Sequence, residues 1–224
     1  MNNRFKKNMF QMMIALFLTF SLSTHVYSAL YGNWRECLNA PGCTCEMITA
    51  TSDLSIYIVE SAGYFFHSHS AFQAFLNRVE LAEIKGINNQ ELKNILYSSI
   101  DNMEKAKGAY SNFITTSEKI PLNQVLIDQL ARFDYANFRV KFGLLESPFE
   151  KVRIFLCKGD INGLDSAVLG NMNNILKQLY IIKSCVDKEE MPNISILWRL
   201  NQSFFEAQLF GQYMSEILKA NLEK

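Results

Sequence analysis

The sequence predicts an all-α protein: an up-down bundle of about five long helices behind a disulfide-stapled, irregular N-terminal head. Three observations carry that reading. Apolar residues recur at alternating steps of four and three over several long stretches, which is the spacing of one helix face. No stretch of useful length alternates apolar and polar residues as a half-buried strand does. The breaks between the stretches are short and rich in Gly, Pro and Asn, which suits antiparallel neighbours joined by tight links.

The chain begins with an address. Arg4, Lys6 and Lys7 precede an apolar run from Met9 to Leu22, and Val26-Tyr27-Ser28 places small residues where a signal peptidase reads them. The run is short for a comfortable membrane span. Residues 1–28 therefore read as a secretory signal with Ala29 as the first mature residue, and the product as exported, periplasmic or secreted. The full chain balances 22 Lys+Arg against 22 Asp+Glu. Losing the signal's three basic residues leaves a slight acidic excess. That argues against a nucleic-acid partner or an anionic membrane surface. No second apolar run is long enough to span a bilayer after cleavage.

Residues 29–47 form the head, in which Gly32, Pro41 and Gly42 break any periodicity and Trp34 is the large apolar residue. The helical domain follows as residues 48–224. Its first seam reads Ile58, Ala62, Phe65, His69, Phe72, Leu76 and Val79, apolar except at the histidine, and Lys85-Gly86 marks its end. Asn88, with Glu91 three residues on, resembles a capping box for a second helix. That helix carries the seam Leu92, Leu96, Ser99, Met103, Ala106, Tyr110 and Phe113 and is closed off by Pro121.

A third long helix is expected from about Leu122 on Leu126, Leu130, Phe133, Asn137, Val140 and Leu144. Its off-stripe Tyr135, Phe138, Phe142 and Leu145 suggest a central position. Ser147-Pro148-Phe149-Glu150 combines an N-cap serine, a proline at the first helical position and a glutamate three residues after the serine. A break and a short helix to Cys157 are expected there. Asn162 and Asp165 open the fourth long helix, with Leu164, Val168, Met172, Ile175, Leu179 and Ile182 on its seam. Pro192 and Asn193 precede the fifth, with Leu197, Leu200, Phe204, Ala207, Gly211, Met214 and Leu218.

Chemistry is sparse. The chain has no nucleophile elbow, phosphate-binding glycine loop, dinucleotide fingerprint, HExxH or EF-hand loop. It also lacks the CxxCH of covalent haem and the paired Glu-x-x-His of di-iron bundles. His67 and His69 are the histidines left after the signal goes. Two residues apart on a helix, they point about 200° from each other and cannot share an ion. His69 on the seam reads as a core histidine held by hydrogen bonds, with Asn137 and Ser99 as its candidate partners and the three together as the candidate ligand-binding residues. Neither a metal nor a cofactor is expected.

The head cysteines Cys37, Cys43 and Cys45 would suit a thiolate metal site by type, but export favours disulfides. In an up-down bundle Cys185 falls at the head's end and Cys157 at the other. Cys185 is then expected to pair with one head cysteine, the other two head cysteines with each other, and Cys157 to stay free. Aromatic clusters such as Tyr64-Phe65-Phe66 and Phe204-Phe205 read as core filler, since packing against a fifth helix accounts for them without a cavity. The functional reading is an exported, non-enzymatic binding or interaction module whose partner is another protein or a small apolar ligand. A carrier or sensor holding an apolar or haem-like ligand near His69 is second, and an enzyme without a recognisable motif is third.

Overall fold

A computed structural model describes residues 45–85, 89–120 and 122–222. The expected signal of residues 1–28 and most of the expected head, including Cys37 and Cys43, lie outside the described residues, as does the Cys45 side chain. Among the described residues the protein is all-helical, with seven helices and no strand. They are α1 (Cys45–Lys85), α2 (Asn89–Ser117), α3 (Gln124–Ala131), α4 (Tyr135–Phe142), α5 (Glu146–Leu156), α6 (Ile161–Asp187) and α7 (Ile194–Leu222). None is long and apolar enough to cross a membrane.

The chain divides into two compact units. One takes the described residues up to Val59, Thr115–Asp160, and the chain from Phe210 onward; the other takes Glu60–Ile114 and Ile161–Leu209. In the second unit the apolar seams are core. Every position of the α2 seam is buried, from Leu92 to Phe113 with Ser99 included, and so are Phe65, Phe72, Leu76 and Val79 of α1. Antiparallel packing can be read from hydrogen bonds. Ser61 Oγ donates to the Ala106 carbonyl at 2.9 Å and Ser68 Oγ to the Ser99 carbonyl at 2.7 Å, so α2 runs backward as α1 advances. The hydroxyl of Tyr97 on α2 bonds Asp187 of α6, and that of Tyr110 bonds Asp165 at 2.7 Å, giving α2 and α6 opposite directions too. Asp165, expected to help open the fourth long helix, is instead a buried acceptor within it.

The first unit corrects the expected third long helix. Two short helices of 8 residues each, α3 and α4, stand in its place, and the 11-residue α5 is the short helix expected after the break. The Asn123 side chain caps α3 by accepting from the Leu126 N–H. Asp134 then caps a new helix by accepting from the Asn137 N–H at 3.1 Å. Gly143, at φ 62°, ends that helix in the left-handed conformation a glycine adopts without strain. Leu126, Leu130, Tyr135 and Phe138 are buried as core, whereas Val140 is 73% exposed and Phe142 54%. The α4–α5 joint is held to the end of α7 by the Leu145 N–H, which donates to the Tyr213 hydroxyl at 3.1 Å. The new start signalled at Ser147-Pro148 is present but two residues early: α5 begins at Glu146, and Pro148 sits in its first turn, where its missing N–H is not needed.

Candidate functional site

The residues that converge on an open surface belong to the second unit. His69, in the middle of α1, is 6% exposed. Its ring lies parallel to that of Phe204 on α7, with centroids 4.7 Å apart and 5° between planes. Phe65 and Phe72, about one turn either side on α1, also pack on Phe204, at 5.7 and 5.5 Å. The seam that buries the histidine is thus an aromatic stack, and the step of three and four that makes the seam also puts three aromatic rings and an imidazole together.

Two amides of α7 hold the ring. Nε2 lies 3.0 Å from Asn201 Oδ1, and Nδ1 lies 2.9 Å from Gln208 Nε2. A neutral imidazole with its proton on Nε2 satisfies both, donating to Asn201 and accepting from Gln208. The Gln73 amide nitrogen also stands 3.3 Å from Nε2. Turned over, that amide would offer its carbonyl oxygen to the same proton. Burial lowers the His69 pKa from its ordinary 6.5, against opposing effects of the hydrogen bonds to Asn201 and then Gln208.

Above this ring opens a cleft of about 370 Å³ lined by His69, Gln73, Trp198, Arg199, Asn201, Gln202 and Phe205. That is within the size range of small-molecule pockets, which run from about 300 Å³ upward. Trp198 and Phe205 are 53% and 40% exposed, and seven residues apart they share one face of α7. The Phe204-Phe205 pair therefore splits: Phe204 is core filler as expected, while Phe205 faces outward on the cleft. Among the described residues no carboxylate, hydroxyl or thiol lines the cleft, so none of them places a nucleophile beside a base there, as covalent catalysis needs. Both ring nitrogens of His69 are engaged, which leaves no lone pair free for an iron or another metal. Among the described residues no cluster of three His, Cys, Asp or Glu side chains is arranged to hold an ion.

The other candidate residues are placed elsewhere. Ser99 is buried, but it exchanges hydrogen bonds with Ser68: its Oγ donates to the Ser68 carbonyl at 2.9 Å. Asn137 is exposed in the first turn of α4, in the other unit. The partners of His69 are thus Asn201, Gln208 and Gln73 rather than Asn137 or Ser99. His67 is exposed. Cys157 and Cys185 are free, half-buried thiols. The head cysteines expected to pair with Cys185 and with each other fall outside the described side chains.

Asn201, Gln208 and the cleft-lining Trp198 and Arg199 escape a reading based on apolar seams. They flank the seam of α7 rather than interrupt it. The one available signal was the placing of amides at Asn201 and Gln208, three residues before and four after Phe204. No protein-family model matches the chain, and no curated protein or solved structure is found to be similar to it.

Proposed function

We propose that the protein is an exported, non-enzymatic binding module that takes a small ligand in the cleft above His69. The observation that carries this is the pair of exposed aromatic side chains, Trp198 and Phe205, standing over a floor of amides and a neutral imidazole. Large aromatic rings left in water over a polar, hydrogen-bonding floor give a partner both contact area and orientation. The basic, apolar and small-residue signature of residues 1–28 supports export. In that setting disulfides are the favoured state of the head cysteines Cys37, Cys43 and Cys45.

The engaged nitrogens of His69 weigh against a haem-like ligand coordinated by this residue, and the lining weighs against catalysis. Native mass spectrometry of protein recovered from the exported fraction tests the proposal. A bound small mass in the wild type that is lost in a Trp198→Ala, Phe205→Ala double variant is the expected result. The same bound mass in both proteins, or none in the wild type, contradicts it.

A further inference from the structure

Arg199 lies on the rim of the cleft beside Trp198, and among the described residues no carboxylate lines the cleft with it. The nearest acid in sequence on that side of α7, Glu206, accepts a hydrogen bond from the Gln202 amide at 3.1 Å. The guanidinium is exposed. It presents five N–H donors in a planar fork suited to two oxygens of one anionic group.

Trp198 and Phe205, two helical turns apart, stand roughly 10 Å from each other along the axis. Between them lie Asn201 and Gln202, with Gln73 facing from α1. The lining thus offers two rings, three amides and one cation. A flat apolar body fits against the rings and a charged oxygen pair fits the fork. A cationic ligand finds no counter-charge on the lining.

Resting on the reading of this cleft as a binding site, we infer that its ligand is a small aromatic carboxylate whose carboxyl group engages Arg199 while its ring system packs against Trp198. His69 does not bind the acid directly. It fixes Asn201, and with it the floor on which the ligand lies, through the 3.0 Å bond from Nε2.

Isothermal titration calorimetry of the full mature chain with three probes of one shape tests this: naphthoate, naphthalene methanol and naphthylmethylammonium. Naphthoate is expected to bind about tenfold or more tightly than the alcohol, the difference a charge-assisted bidentate contact makes, and the ammonium more weakly still. Arg199→Gln should bring naphthoate down to the level of the alcohol, and Arg199→Lys should restore part of the difference. Trp198→Ala should weaken all three. Both residues are exposed, so unchanged melting temperatures will show that the variants fold. Equal binding of the three probes, insensitive to Arg199→Gln but lost in Trp198→Ala, overturns the carboxylate and leaves the cleft standing. Absence of binding by any probe overturns the aromatic carboxylate as ligand, and the bound-mass comparison above then judges the cleft by itself.

Discussion

Gln208 approaches Nδ1 of His69 from α7 at 2.9 Å, across 139 residues of sequence. Gln208 is itself buried, and among the described residues no buried side-chain nitrogen or oxygen lacks a hydrogen bond. The histidine and the amide therefore depend on each other. Each would be an unsatisfied polar group without its partner, and the α1–α7 contact in the second unit is fixed in register by the pair.

His69→Leu should consequently destabilise the protein by about 1–3 kcal/mol at neutral pH, because Gln208 is left buried without its acceptor. Adding Gln208→Leu should recover part of that loss. His67→Leu, at an exposed position one residue from the seam's flank, should change little. Chemical denaturation of the four proteins at pH 7.5 checks this.

The same residue predicts a pH dependence. Its pKa is lowered in the folded protein, so the unfolded chain binds the proton first. Its stabilising contribution is complete above the unfolded value of about 6.5 and is lost as pH falls from there through the folded value. Among the described residues no carboxylate lines the cleft to hold the charged ring, and the cation that does line it, Arg199, offers no compensation. Thermal melts from pH 7.5 to 5 should show a decline in wild type that is shallower in His69→Leu.

Two glycines should respond oppositely to alanine. Gly108 is exposed on α2 and a methyl group there would meet nothing within 4 Å, so Gly108→Ala should stabilise by about 0.5–1 kcal/mol. Gly159 sits at φ +64°, and a Cβ would come within 2.6 Å of Ile127 Cγ2. Gly159→Ala should cost about 1–3 kcal/mol through strain and the displaced isoleucine. Paired denaturation midpoints decide both.

Tyr110→Phe removes the hydroxyl that bonds Asp165 at 2.7 Å in the core between α2 and α6. A loss of about 1–3 kcal/mol is expected from weakening the satisfaction of a buried carboxylate. Tyr180→Phe, whose hydroxyl bonds Glu104 at an exposed site, should cost much less. Urea midpoints of the two variants should differ accordingly.

The second unit was largely legible because period alone identifies a buried helix face, and the seam of α2 is buried along its whole length. His69 was legible as interior for the same reason. Its partners were not, since period shows which face of α7 is apolar but not which flank meets α1, and Asn201 and Gln208 lie on a flank. In the first unit, a run of apolar residues outweighed two stop signals that were present in the sequence. Asp134 as a cap and Gly143 as a left-handed terminator divide the stretch, and once it is divided, Asn137 falls at a helix start and Val140 in solvent. The cleft was hidden by a similar preference, because Phe205 beside Phe204 reads as filler unless their roughly 100° separation on the helix is weighed.

The account turns on His69 being a neutral, doubly hydrogen-bonded floor rather than a ligand or proton donor. Nitrogen NMR of the imidazole, titrated from pH 8 to 5, measures that directly. The expected spectrum shows the proton on Nε2, an unprotonated Nδ1, and a midpoint below about 6.5. A proton on Nδ1 in the neutral ring, or a ring already charged at pH 7, would contradict it.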